Sequence, residues 1–130
     1  MAIIFLIGRI LFAGLFLFYG INHFAKFKSM TSYAISKKVP FPKVAVILTG
    51  LALIVGGLGI LLWFYVPIAA ALLALFLFVS AFMMHNFWAD TDSQTKMVNM
   101  NNFMRNFALI GGLAICTTFY MVLYTLSSTA

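Results

Sequence analysis

Four apolar runs, approximately residues 2–22, 44–64, 67–86 and 103–125, leave this chain few ways to fold. Each meets or approaches the ~20 residues that a ~30 Å hydrocarbon layer requires at about 1.5 Å of helix rise per residue. Lipid offers the backbone no hydrogen-bond partners, so each run must be helical. Composition agrees: 65% of residues are hydrophobic and 8% are charged, against roughly 45–50% and 25% in soluble domains. With 15 phenylalanines among 130 residues, a soluble domain would have too little surface charge to keep that much apolar side chain from water. The expected fold is all-α: a single transmembrane domain over residues 1–130, an antiparallel four-helix bundle with a short interfacial helix between spans one and two. No basic segment precedes Ile3 and no small-x-small cleavage site follows near Phe18, so the first run is expected to be a retained helix.

Charge is distributed as membrane topology requires. Lys26, Lys28, Lys37, Lys38, Lys43 and Lys96 lie in the first and third loops with Arg105 adjoining, whereas the other side holds only Arg9. This bias predicts an integral protein of a bacterial inner membrane, with loops one and three cytoplasmic and both termini outside. The net charge of +6 then reflects topology and anionic headgroups, and nucleic acid is set aside as a partner. Cys116 is the only cysteine, which excludes a disulfide or Cys-x-x-Cys chemistry within the chain. The two histidines lack helical His-x-x-x-His spacing, so no metal or haem site is assigned, and no catalytic residue either.

In span one, Arg9, Ala13, Phe16, Gly20 and His23 recur at steps of three or four and form one stripe. Arg9 lies only about 10 Å from the helix start and can snorkel to the interface, face the bundle, or contact a ligand. In the basic segment that follows, Ser29 is a candidate cap for a short helix whose Met30, Tyr33 and Ala34 share a face, and Pro40 and Pro42 end it. Span two has a small-residue face, Gly50, Ala52, Gly56, Gly57 and Gly59, suited to close helix approach. The short aromatic turn Trp63 to Pro67 makes spans two and three a hairpin. Span three offers Ala70, Ala74, Phe78, Ala81 and His85 on one side. A solvated loop is expected over Ala89 to Asn102, where Asp90 and Asp92 read as ordinary loop charges. Span four starts in the amides Asn99, Asn101 and Asn102, one of them a candidate N-cap, and carries a second small face, Ala108-x-x-x-Gly112 with Gly111.

Spans one and three end, and span four begins, on the same membrane side. The candidate polar pocket there comprises Asn22, His23, His85, Asn86, Trp88, Asn102, Arg105 and Asn106. One reading is a site for a quinone or similar lipophile, with histidine or amide donors for its carbonyls and an aromatic wall for its ring. The other is that these groups cap and zip the bundle, while small-residue helix faces join another membrane protein or a second copy of the chain. Antiparallel threading places Arg9 near residues 57–60, 71–75 and 115–119, none acidic. Its partners are then neutral groups such as Thr117, Thr118 or backbone carbonyls, or a bound anion such as a lipid phosphate.

Three stretches carry a resemblance to a known family: Gly20-Ile-Asn-His-Phe24, His85-Asn-Phe-Trp88 with Asp90 after it, and Asn102-Phe-Met-Arg-Asn106 leading into Ala108-Leu-Ile-Gly-Gly112. The chain resembles the DoxX family of small four-span membrane proteins over nearly its whole length, including the segment from Tyr33 to Lys43 and Arg9 in the first span. It departs at Lys37-Lys38, where relatives often have Lys-Gly before Val-Pro, which bears on turn geometry there. The resemblance implies an association with quinone-linked sulfur oxidation, membrane oxidoreductase complexes or redox stress. The chain would then act as an accessory or assembly subunit, or alternatively as a quinone- or lipophile-binding subunit.

Overall fold

The computed structural model describes residues 1–130. Five α-helices account for most of them: α1 (Ala2–Ala25), α2 (Phe27–Ser36), α3 (Pro42–Leu62), α4 (Val66–Met84) and α5 (Ser93–Thr129), with one 3-10 turn at Phe87–Ala89. Helices α1, α3, α4 and the apolar part of α5 are long and apolar enough to cross a membrane, and α2 lies between the first two. The chain is thus the expected all-helical integral membrane protein with a short helix between spans one and two.

Packing radiates from α3, which lies against α1 on one side and α4 on another, while α5 lies against α4. Its glycines make this possible. A Cβ at Gly50 would lie 2.8 Å from His23 Cβ and one at Gly57 2.9 Å from Leu17, so α1 sits where side chains would otherwise stand. Gly20 reciprocates from α1, since a Cβ there would meet Ile54 at 2.7 Å. On the α4 side Gly56 admits Leu73 and Gly59 admits Ala69. In lipid, such van der Waals fit replaces the hydrophobic effect as the force between helices. The buried core runs through Phe16, Leu53, Ile60, Leu73, Leu77 and Leu113.

The predicted stripe of α1 is the buried one, with Ala13, Phe16, Gly20 and His23 all inside. On α4 the buried face is Val66, Ala69, Ala70, Leu73, Leu77 and Ala81. This corrects the expected placement of Phe78, which is 50% exposed and stacks outside the bundle with Phe82 and Phe107. The hairpin turn from α3 to α4 holds Trp63 and Tyr65 at φ of 57° and 47°, a conformation uncommon for aromatic residues. Trp63 is held there by edge-to-face contact with Phe5, ring centroids 4.8 Å apart, and by Tyr120.

Two boundaries differ from expectation. Helix α2 starts at Phe27, directly after α1, with Lys26 alone between them donating its N–H to Asn22 O, so Ser29 lies inside the helix and does not cap it. Helix α5 starts at Ser93, turning most of the expected Ala89–Asn102 loop into helix. The cause is local: the Asp92 carboxylate accepts from both the N–H and the hydroxyl of Thr95, at 2.8 Å each, and so caps the helix well before the apolar run. The amides Asn99, Asn101 and Asn102 are therefore helical residues, not caps.

Since Leu73 is fully buried, Gly56→Ala places a methyl 2.5 Å from its Cγ and is expected to cost about 1–3 kcal/mol. Gly14→Ala meets nothing within 4 Å and is expected to leave stability unchanged or slightly raised. Thermal unfolding of both variants in mild detergent checks the contrast.

Candidate functional site

Polar side chains gather at the end of the bundle where α1 runs into α2 and α4 into α5. His85, the residue after α4, has its Nδ1 3.4 Å from the Asn99 side-chain oxygen, and the Asn99 amide donates to the Asp90 carboxylate at 2.7 Å. Asp90 thus orients an amide that orients the imidazole. Asn86 accepts from Lys37 Nζ at 2.9 Å, and the Tyr33 hydroxyl donates to Met84 O at 3.0 Å, so α2 is fastened to the end of α4 by two bonds. Partial burial, and then the negative charge of Asp90, push the Tyr33 phenol above its ordinary pKa, which keeps it a protonated donor. The Thr95 bonds hold the Asp92 carboxyl below the usual carboxylate range and keep it ionised at the helix N-terminus.

A cavity of about 420 Å³ opens beside this network, lined by Tyr33, His85, Gln94, Thr95, Val98, Asn99 and Asn102. Of the predicted pocket residues, His85 and Asn102 line it. The others lie elsewhere. His23 is buried in the α1–α3 seam, its Nδ1 2.7 Å from Tyr19 O and its ring edge-to-face with Phe76. Asn106 is buried and donates to Leu77 O of α4 at 3.0 Å, an interhelical clamp. Arg105 is exposed and lies over the Tyr19 ring at 5.6 Å. Trp88 is exposed and packs in an outer aromatic cluster with Phe82, Phe87 and Phe103. Asn22 is half-buried and gives its backbone oxygen to Lys26. The pocket reading missed Tyr33, Gln94, Thr95, Val98 and, central to the network, Asn99. Its signal was present, because Asn99, Asn106 and Leu113, the buried residues of α5, follow one another at seven-residue spacing.

At the other end of the bundle, which holds the termini, Arg9 lines a second cavity of about 480 Å³ with Ile60, Ile115, Cys116 and Phe119, close to the levels that antiparallel threading indicated on α3 and α5. Thr117 and Thr118 donate to Leu113 O and Ala114 O of their own helix. Both acids of the chain lie at the far end.

A family model described as DoxX matches residues 4–86, well over half of the chain. No curated protein and no solved structure matches it.

If Asn106 is an interhelical clamp, Asn106→Leu keeps the volume and removes the bond, at an expected cost of about 0.6–1.7 kcal/mol. A melting temperature equal to that of the unaltered chain would assign the bond no weight.

Proposed function

The chain belongs to the DoxX family, and from that premise we propose that it is an accessory or assembly subunit of a redox-linked membrane complex. The observation that carries this reading is the use of its polar groups. His23, Tyr33, Asn86 and Asn106 are engaged in bonds to backbone or between helices, which is what zipping a bundle requires. Meanwhile only part of the expected small face of α5 is used: Phe12 covers Gly112, whereas Ala108, Gly111 and the neighbouring Ala114 are exposed, and a Cβ at Gly111 meets nothing within 4 Å. The small residues of α3 are used inside the bundle, so a partner helix or a second copy would approach on α5. In the bacterial inner membrane, loops one and three face the cytoplasm and both termini lie outside, as the basic residues direct.

The second reading, a quinone-binding subunit, draws on the cavity beside His85, where an imidazole and the Asn102 amide offer donors for quinone carbonyls. One preparation distinguishes the two. Affinity-tagged chain extracted from host membranes in mild detergent is expected to migrate in a stoichiometric hetero-assembly by native mass spectrometry, and Gly111→Ile is expected to abolish that assembly without lowering the melting temperature. A chain that is only monomeric, carrying stoichiometric quinone that is lost in His85→Ala, would replace the first reading by the second. For orientation, Ser93→Cys on a Cys116→Ser background is expected to resist membrane-impermeant maleimide in intact cells. Strong labelling there reverses the topology.

A further inference from the structure

Helices α1 and α5 meet through side chains: Phe12 reaches the backbone of Gly112, and the Phe5 and Phe119 rings lie 5.2 Å apart, whereas the extensive helix packing runs from α1 to α3, α3 to α4 and α4 to α5. Between these aromatic bridges lies the cavity of about 480 Å³, within the roughly 300–1,000 Å³ typical of small-ligand pockets. Its wall is apolar, with Phe5, Phe12, Ile60, Trp63, Ile115 and Phe119, and it contains one charge, Arg9. Gly8 and Ile115 at its rim are exposed, so it opens on the flank of the bundle, toward lipid.

Arg9 is partly buried in this wall. Its Nε is buried and has no hydrogen-bond partner. The guanidinium lies 5.5 and 6.0 Å from the Phe5 and Trp63 ring centroids, both on one side of it, which leaves its other N–H donors available. The only side-chain carboxylates, Asp90 and Asp92, are at the opposite end, and the hydroxyls of Thr117 and Thr118 are turned to the backbone of their own helix. An unpaired planar cation at the edge of an apolar slot matches one chemistry: an oxyanion joined to a hydrocarbon chain.

We propose that the slot between α1 and α5 binds an acyl-chain amphiphile with a carboxylate or phosphate headgroup, the headgroup on Arg9 and the chain along the aromatic wall. Two in-plane donors suit either oxyanion, which an ammonium point charge does not match. The volume accommodates one chain. The site lies at the other end of the bundle from the His85 cavity and stands whichever reading of the protein's role holds.

The test uses Trp63 as reporter. Trp88→Phe leaves it the only tryptophan, and the full chain is reconstituted in phosphatidylcholine vesicles at alkaline pH, where a fatty carboxylate is ionised. Dibromostearate or brominated phosphatidylglycerol is expected to quench Trp63 saturably at roughly tenfold lower mole fraction than dibromostearate methyl ester or brominated phosphatidylcholine. A stronger response to the free acid identifies a fatty acid as the ligand, and a stronger response to phosphatidylglycerol identifies a membrane lipid. Arg9→Gln is expected to erase the difference between anion and neutral analogue, and Arg9→Lys to keep part of it. Gly8→Leu, at a position where a Cβ meets nothing within 4 Å, fills the slot with Arg9 intact and is expected to weaken quenching by the anions as well. Equal quenching by both anions and their neutral analogues in the Trp88→Phe protein, or an undiminished preference in Arg9→Gln, overturns the proposal.

Discussion

Everything in this bundle depends on how closely α3 lets its neighbours approach. Hydrocarbon solvates an apolar helix as well as another helix does, so association rests on contact geometry and on a few hydrogen bonds. The absent side chains of Gly50 and Gly57 seat α1, and those of Gly56 and Gly59 seat α4. With α1 and α4 placed on two sides of α3, and α5 held against α4, the ring closes only by side chains reaching from α1 to α5. The tight seam and the open slot are two consequences of one arrangement.

The two ends of the bundle manage polarity in opposite ways. At the loop end, donors and acceptors are matched apart from the buried Thr31 hydroxyl: Asp90 to Asn99, Asn99 to His85, Lys37 to Asn86, Tyr33 to Met84. In a medium poor in water an unmatched group costs more than a matched one contributes, so this network specifies how α2, α4 and α5 meet. At the terminal end a cation has two aromatic rings on one side and a buried Nε without a hydrogen-bond partner. The first arrangement stabilises a fold, and the second presents a group to something outside it.

Sequence reasoning succeeded where residue type and spacing act within one helix. The stripe from Ala13 to His23, the glycine face of α3 and the aromatic hairpin turn were all legible because a helix turns about 100° per residue and small residues declare close approach. It failed where the decision belongs to a pair of helices. Phe78 shares a face with Ala74 and Ala81 on paper, yet the roll of α4 is set by Leu73 entering the space at Gly56, and that roll turns Phe78 outward. Hydropathy marks the lipid-facing length of α5 and is blind to its aqueous extension, which a single aspartate and the threonine three residues on create. Lys38 adopts φ of 57°, a conformation that glycine takes without steric cost, and the lysine there carries strain of order 1–2 kcal/mol.

Arg9 links that geometry to energetics. An arginine within a span costs at least about 2.5 kcal/mol near the helix centre and less toward the interface, and an unmatched buried donor adds about 1–3 kcal/mol. Two cation–π contacts of about 0.5–2 kcal/mol each offset part of this. The free chain therefore keeps a local deficit at the α1–α5 slot, in the one seam of the bundle that lacks close helix approach. A bound oxyanion removes the deficit in the folded state only, because an unfolded chain has no slot, and the gain follows RT ln(1 + [L]/Kd). Binding at Arg9 thus acts on how α1 and α5 are held together.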